Sequence, residues 1–385
     1  MLGASISNAK PIQTSNRRLK YHTTTRGLNL AYYNVDELRL LHSECIDSAS
    51  YLRHGVKLKA GDTCIDVGGN IGLFALTASE LVGSSGRVVC LEPLPSAHQA
   101  AAENIASHAL WARAHGVQAC TPTLLQAAAG AAVRPEGIQM TEYEQALGWS
   151  TVAPDDNEVA ANMRRYLRHL LGPEGEEAEG QSGLGLQASA LVRAGRGLQR
   201  ALPATAPLVQ WVAGWVVRGM LAAATTHTVP LTTVSSVIEE QQLTRVDLLK
   251  VDVERAELDV LRGIELRHWP LIRQVAVEVH DVQEEEQQQQ GEGKMQHSHP
   301  HQASASSTPS SASSTSPSPP SPAVEAGNGV AVQPVTQGNA QRQGVRGRVQ
   351  VVRELLAQQG LVRVRVEQEG AMQGTNLYMV WAARE

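Results

Sequence analysis

The sequence predicts an α/β fold built on a single, mostly parallel sheet with helices on both faces. From about Lys57, short apolar runs alternate with segments of helical period, a pattern typical of parallel sheets rather than of sandwiches or bundles. The first apolar run ends at a turn that contains three glycines. The chain has 385 residues and is 42% hydrophobic, so it can bury a sizeable core.

The elements follow one another in a regular order. Strands are predicted at "TCIDVG", at "RVVCLEP", within "GVQACTPTLLQAAAG", at "VDLLKVDV" and at "QVAVEVH". Helices are predicted at "NIGLFALTASELVG", "SAHQAAAENIASHAL" and "AELDVLRGIEL". The chain closes with a predicted helix, "VRGRVQVVRELLAQQG", and two predicted strands, "LVRVRVEQ" and "TNLYMVWAARE".

Two segments interrupt this order. Residues 152–227 are rich in Ala, Leu, Arg and Gly and are predicted to form a helical insertion. Residues 283–344 are a Gln-, Ser- and Pro-rich tract that cannot bury enough apolar surface, so we expect an insertion that is disordered. The resulting organisation is a flexible N-terminus (1–20), the cofactor half of the main domain (21–151), the helical insertion (152–227), a second part of the domain (228–282), the low-complexity insertion (283–344), and a C-terminal helix with the last two strands (345–385).

Charge and hydropathy exclude some partners. The formal net charge is -5 and no basic stripe is present, so no nucleic-acid partner is expected. The most membrane-like stretch, residues 208–224, is short and interrupted by Gln210 and Arg218, so no transmembrane anchor is expected. Residues 1–20 lack the apolar core of a secretory signal, which favours a cytoplasmic location, with a weak organellar transit signal as the alternative. The sequence does not indicate an oligomeric state.

The turn after the first strand is predicted to bind a ligand, because ligands of open parallel sheets lie beyond the carboxyl ends of the strands. Gly68, Gly69 and Gly72 lack the Cβ atoms that would hold a ligand away from the backbone. A helix that begins near Asn70 would direct free N–H groups into the same space. Asp66 would repel a pyrophosphate there, but it suits the ammonium group of an amino acid.

Glu92 ends the second strand, where its carboxylate can accept both hydroxyls of a ribose. An amino acid joined to an adenosine is S-adenosylmethionine, which is therefore the predicted cofactor. Two alternatives remain open: a turn whose glycines serve only packing, and a nucleotide-dependent oxidoreductase, against which the position of Asp66 argues.

Charged residues also lie in the second half of the sheet. At a period of two, Lys250, Asp252 and Glu254 project to one side of a strand that is otherwise apolar, and Glu278 and His280 share a face of the next strand. Charges in an apolar strand are costly unless paired, and they concentrate at functional sites. Pairing of Lys250 with Asp252 or Glu278 for structure alone is the alternative interpretation.

These motifs carry a resemblance. "GDTCIDVGGNIGLFAL", "VVCLEP" and "VDLLKVDVERAELDVLRGI" resemble the FkbM-type methyltransferases, in the order and spacing of that family. The resemblance implies the class I methyltransferase, Rossmann-like fold, with a seven-stranded sheet whose last strand is antiparallel, and S-adenosylmethionine-dependent O-methylation of a hydroxyl on a small molecule or glycan. It implies cofactor-binding roles for Asp66, Gly68, Asn70, Gly72 and Glu92. Gly69, where the family usually has alanine, is predicted to bind the cofactor with them.

The resemblance extends to the acceptor side. "GWST" resembles a family segment near the acceptor pocket, so Ser150 and Thr151 are predicted to line it. The family's Lys-x-Asp-x-Glu strand falls on Lys250, Asp252 and Glu254, with a further acid, Glu257, on the helix that follows. The family usually has glycine where Arg255 stands.

Methyl transfer to an alcohol is helped by a base, because an alcohol is a poor nucleophile at neutral pH. Asp252 and His280 are the predicted bases, Lys250 is predicted to be a third catalytic residue, and Glu254 and Glu278 are predicted to contact the acceptor. No metal is predicted, although Mg²⁺ held by the carboxylates of Asp252, Glu254 and Glu278 is an alternative. A cofactor-binding module without catalysis is the remaining alternative.

Overall fold

A computed structural model describes residues 18–143, 224–281, 347–368 and 376–385, together with scattered positions between 171 and 212. Its strands are β1 (Lys20–Thr23), β2 (Asn29–Tyr32), β3 (Thr63–Val67), β4 (Arg87–Leu91), β5 (Thr123–Leu125), β6 (Ala128–Ala129), β7 (Arg134–Tyr143), β8 (Ala224–Thr232), β9 (Leu248–Val251), β10 (Gln274–His280), β11 (Arg363–Glu367) and β12 (Leu377–Ala383). Its main helices are α1 (Val35–His42), α2 (Leu73–Val82), α3 (Pro95–His115), α4 (Val234–Glu240), α5 (Glu257–Arg262) and α6 (Arg348–Gln358).

Seven strands form the central sheet, in the order β11-β12-β10-β9-β3-β4-β5. The run from β5 to β10 is parallel, whereas β12 pairs antiparallel with both β10 and β11. The strand order reverses between β3 and β9, the position at which open parallel sheets bind ligands. The predicted fold class, including the antiparallel last strand, is confirmed.

Helices cover both faces of this sheet, as predicted. One buried apolar cluster joins alternate strand residues to α4, α5 and α6. The second cluster joins the intervening strand residues to α2, α3 and the N-terminal segment. Because strand side chains alternate between faces, Asp66, Lys250, Glu278 and His280 all lie on the second face.

A smaller sheet, in the order β6-β8-β7, stands beside the central one. Its long strands β7 and β8 are antiparallel, and the pairing ends at Tyr143 and Ala224. The chain between these two paired residues includes most of the predicted helical insertion, 152–227, whose last four residues belong to β8. The rest of that insertion, apart from the scattered positions, and the whole tract 283–344 lie outside the described residues, so both assignments stay predictions.

The N-terminal segment packs on the second face of the central sheet. It comprises the β1–β2 hairpin, α1, a π-helical turn at Ser43–Asp47 and a 3₁₀ turn at Ser50–Leu52. Buried apolar residues from all of these elements except β1 join the second cluster, among them Leu30, Leu38, Cys45 and Tyr51. Within the described parts of the chain, no helix is long and apolar enough to cross a membrane.

Candidate active site

The glycine turn after β3 is closely packed against the protein itself. A Cβ atom on Gly68, whose φ is +81°, would lie 1.8 Å from the backbone oxygen of Asp252. A Cβ on Gly69 would lie 2.1 Å from Cys90 Sγ, and one on Gly72 would contact Ala101 at 3.4 Å. The space in which a Cβ atom would lie is therefore taken by protein atoms, from the residue after β9, from a side chain of β4 and from helix α3. The predicted role of these glycines in cofactor binding stays a prediction.

The backbone N–H groups of the turn are also engaged. Gly68 and Gly69 both donate to the carbonyl of Leu91, at 3.0 and 2.9 Å, and Asn70 N donates to Glu92 Oε2 at 2.8 Å. Helix α2 begins at Leu73, three residues later than predicted, because Asn70 (φ +48°) and Gly72 (φ +86°) adopt left-handed conformations. The turn thus holds the ends of β3, β4 and β9 at fixed positions.

Glu92 lies at the end of β4, as predicted, and is buried. Its two carboxyl oxygens accept hydrogen bonds from the backbone N–H groups of Asn70 and Leu94, each at 2.8 Å. Burial raises the pKa of Glu92 to about 7, although the two backbone donors oppose that rise. A carboxyl oxygen has two lone pairs, so each can still accept one hydroxyl donor. Asn70 Nδ2 in turn donates to Glu37 Oε1 of α1, at 2.9 Å.

Asp66 does not face a ligand in this structure. Its side chain is fully buried, and Lys250 Nζ lies 3.0 Å from its Oδ1. The two residues are register partners in β3 and β9, which explains the contact. Burial raises the pKa of Asp66, although the Lys250 charge opposes the rise. A direct bond from this carboxylate to a ligand ammonium is thus not available here, since the Lys250 ammonium holds that place.

Lys250 connects the glycine turn to the acceptor side. Besides its ion pair with Asp66, its Nζ donates to the carbonyl of Gly68 at 2.7 Å and lies 3.3 Å from Asp252 Oδ2. Burial acts to lower the pKa of Lys250, but the carboxylates of Asp66 and Asp252 outweigh it and raise the pKa. Lys250 therefore stays protonated at neutral pH and acts as a fixed cation rather than as a proton acceptor.

Asp252 follows β9 and is partly exposed. Its Oδ2 accepts a hydrogen bond from the Tyr51 hydroxyl at 2.7 Å, in addition to the contact with Lys250. The Lys250 ammonium also lies 4.9 Å from the centre of the Tyr51 ring. The carboxylate is thus held from two sides, by β9 and by the N-terminal segment.

His280 is buried between two carboxylates. Its Nδ1 lies 2.5 Å from Glu257 Oε1, and its Nε2 lies 2.9 Å from Glu254 Oε2. Burial acts to lower the pKa of His280, but Glu254 and Glu257 outweigh it and raise the pKa well above the usual value. Arg348 of α6 contacts the other oxygen of Glu257, Oε2, at 3.3 Å. The imidazole is therefore charged at neutral pH, with both nitrogens occupied.

Glu278 precedes His280 on the same face of β10 and is partly buried. Burial raises the pKa of its carboxyl well above the usual value, and the charges of Asp252 and Glu44 add to that rise. Among the described residues, no side chain forms a hydrogen bond or ion pair with this carboxyl. Glu278 thus differs from every other predicted acid of the site.

Comparison with known proteins identifies the family. The model of the FkbM methyltransferase domain matches residues 66–303. The chain belongs to the FkbM methyltransferase family. It is 34% identical over 258 residues to the 31-O-demethyl-FK506 methyltransferase FkbM of Streptomyces tacrolimicus, covering 66% of this chain and 80% of that protein.

Two further matches are partial. The chain is 28% identical over 263 residues to the AMB antimetabolite synthetase AmbE of Pseudomonas aeruginosa, covering 67% of this chain but 10% of that protein. It is 62% identical over 39 residues to the methyltransferase sdnD of Sordaria araneosa, covering 10% of this chain and 15% of that protein.

Two further predictions for the site concern the residues that line the acceptor pocket and the binding of a metal. Ser150 and Thr151 lie outside the described residues, so their acceptor-lining role stays a prediction. Within the described ranges, no group of three or more His, Cys, Asp or Glu side chains is arranged to hold a metal ion.

Sequence reasoning missed the contribution of the N-terminal segment. Glu37 accepts a hydrogen bond from Asn70 in the glycine turn. Glu44 lies close enough to Glu278 to raise the pKa of its carboxyl. Tyr51 donates a hydrogen bond to Asp252. No spacing rule connects residues so far apart, about 200 in the case of Tyr51 and Asp252.

The backbone at position 255 adopts a conformation that favours glycine. Arg255 has a φ of +69°, a conformation that glycine adopts without steric strain and other residues rarely adopt. Its N–H donates to Glu257 Oε1 and its carbonyl accepts from Arg348 Nη1. The backbone of residue 255 is thus bonded to the network that surrounds His280.

Proposed function

We propose that this FkbM-family methyltransferase transfers a methyl group from S-adenosylmethionine to a hydroxyl of a small molecule or glycan. The observation that carries the proposal is the position of Lys250, whose ammonium bonds both the Gly68 carbonyl of the turn and the Asp252 carboxylate. One cation thereby fixes the predicted cofactor region and the predicted acceptor region to each other. Reactions between two bound molecules depend on such fixed geometry.

The cofactor side offers groups that match a nucleoside. Glu92 would hold the ribose, because its oxygens keep acceptor capacity beside two backbone donors. Asn70 would contribute through its Oδ1 atom, which is buried and has no hydrogen-bond partner among the described residues. When bound, the cofactor would supply a methyl group carried on a positively charged sulfur. Asp66 would act at one remove, by holding Lys250.

The acceptor side favours a neutral hydroxyl compound. Its carboxyl groups include Asp252, Glu254 and Glu278, whereas its two cations, Lys250 and His280, are both held by acids. An anionic acceptor would meet the charges of these acids, and both of these cations are already paired. A hydroxyl group can donate to a carboxylate instead.

The relatives support oxygen as the accepting atom. The name of the Streptomyces tacrolimicus protein describes methylation of an O-demethyl compound. Lys250 neutralises the Asp66 carboxylate that was expected to repel a pyrophosphate, so Asp66 does not by itself disfavour an oxidoreductase. Membership in the FkbM methyltransferase family favours methyl transfer instead. A cytoplasmic location stays a prediction of the sequence.

Two measurements test the proposal. Calorimetric titration should show that S-adenosylhomocysteine binds and that NADH does not. Transfer from S-adenosylmethionine labelled in its methyl group should then be followed with 31-O-demethyl-FK506, simple sugars and secondary alcohols as acceptors. Binding of S-adenosylhomocysteine without transfer to any acceptor would favour the non-catalytic alternative. Binding of NADH alone would refute the proposal.

A further inference from the structure

We propose that Glu278 is the group that takes the proton from the acceptor hydroxyl. This assignment rests on the proposed function and deepens it. It replaces the two bases predicted from the sequence, Asp252 and His280.

The contacts of the other candidates leave them poorly suited to accept a proton. Both ring nitrogens of His280 are occupied, by Glu257 at 2.5 Å and by Glu254 at 2.9 Å. Lys250 is an ammonium with three oxygen neighbours. One oxygen of Asp252 already has two donors, Tyr51 and Lys250, which suits an orienting role.

The Glu278 carboxyl, in contrast, has no hydrogen bond or ion pair within the described part of the chain. It is only partly buried, and neither of its oxygens is among the fully buried atoms that lack a partner. The Val277–Val251 register pair places Glu278 next to Asp252 at the carboxyl edge of the sheet. A hydroxyl that Asp252 orients would thus be next to an unpaired carboxyl.

The surroundings of Glu278 also raise the pKa of its carboxyl, which makes the carboxylate a stronger base. Burial raises the pKa of this carboxyl, as do the acids on the neighbouring elements, and only the His280 charge opposes the rise. The titratable groups that face it are Asp252 and Glu254 after β9, His280 on β10, and Glu44 and Tyr51 in the N-terminal segment. A base is most effective when its pKa is close to the working pH.

The proposed step balances as follows. A lone pair of the acceptor oxygen forms the bond to the methyl carbon of the sulfonium donor. The carbon–sulfur bond breaks and leaves its electron pair on sulfur, which becomes a neutral thioether. The acceptor proton passes to the Glu278 carboxylate and is later released to water.

A first experiment needs no acceptor. Infrared difference spectra of the full chain, recorded during a pH titration, report the C=O band of protonated carboxyl groups. Glu278→Gln should remove one carboxyl that titrates well above the usual range, and Glu92→Gln should remove a second. The matched control is Glu354→Gln, a half-buried acid on α6 at the opposite face of the sheet. If the titrations of Glu278→Gln and Glu354→Gln are the same, the proposal is overturned.

A second experiment uses an acceptor found by the transfer screen. Glu278→Gln should bind S-adenosylhomocysteine as the wild type does, while turnover falls by about 10² to 10⁴. Wild-type turnover should rise with pH as Glu278 loses its proton, and the variant should lose that rise. Wild-type turnover in Glu278→Gln, or loss of the pH dependence in Asp252→Asn instead, would overturn the assignment. Absence of transfer by the wild type would refute the proposed function and this assignment with it.

Discussion

The two halves of the candidate site are built in different ways. At the turn after β3, backbone groups of three strands bond one another, and added atoms would meet protein at 1.8 and 2.1 Å. At the ends of β9 and β10, charged side chains surround Glu278, whose carboxyl has no partner among the described residues. The first half should therefore be sensitive to volume, whereas the second should be sensitive to charge and tolerate substitutions of equal size.

The largest effect is expected from Gly68→Ala. The new Cβ would overlap the backbone oxygen of Asp252, and alanine would also be strained at a φ of +81°. Because backbone cannot move aside as a side chain can, we expect a loss of roughly 3 to 5 kcal/mol in the free energy of unfolding. Urea denaturation followed by circular dichroism measures it.

Gly55→Ala is the matched control for that change. Gly55 has a φ of +91°, but a Cβ there would have no atom within 4 Å. Only the backbone strain remains, so a loss of about 1 to 2 kcal/mol is expected. Equal losses in the two variants would show that strain, and not the contact with Asp252, dominates at the turn.

Glu92→Gln tests the burial of a charge in the first half. Since the pKa of Glu92 is about 7 in the folded chain and lower when unfolded, the folded state binds the proton more tightly. Wild-type stability should therefore fall as the pH rises from about 4.5 to about 7, by up to about 3 kcal/mol.

The Gln variant should lose the part of this slope that Glu92 causes, because glutamine has no proton to release, whereas Asp66 and Glu278, whose pKa values are also raised, keep their contributions. Urea midpoints measured across the same pH window, in the absence of cofactor, compare the two proteins. A slope that is unchanged in Glu92→Gln would mean that another group is responsible for it.

The sequence predicted the sheet far better than the site. Strand β10 was predicted at its observed bounds, because an apolar run between polar residues is a local signal. The position of the glycine turn was predicted, but its packing was not, since the atoms near the Cβ positions come from β4, from the residue after β9 and from α3. Such contacts are set by packing between distant segments and leave no mark in the local pattern.

The charged residues show the same limit. The period of two correctly placed Glu278 and His280 on one face, yet it could not show that Glu257 and Glu254 occupy both nitrogens of the histidine. The Asp66–Lys250 pair likewise required the register between β3 and β9. Register across a parallel sheet depends on the whole fold rather than on either strand.

Asp252→Asn tests the electrostatic half with a side chain of equal size. It would remove the negative charge that Lys250 contacts at 3.3 Å and weaken the hydrogen bond from Tyr51. We expect that folding and the affinity for S-adenosylhomocysteine do not change. Turnover should fall about 10- to 100-fold, because the variant loses a charged hydrogen bond. Steady-state kinetics alongside calorimetry measure both. Full turnover in this variant would make Asp252 a structural residue.

The smallest effect is expected from Arg255→Gly, which relieves strain at the border of the two halves. Glycine adopts a φ of +69° freely, and the backbone bonds to Glu257 and Arg348 do not need the side chain. We expect stability to rise by at most about 1 kcal/mol, read as a shift in the urea midpoint. Gln242→Gly, at a φ of +51° after α4, gives the matched relief away from the site. A change in the KM for the acceptor in Arg255→Gly alone, with similar gains of stability in both variants, would show that the arginine side chain contacts the acceptor. If neither variant changes this KM, residue 255 affects only the local backbone conformation.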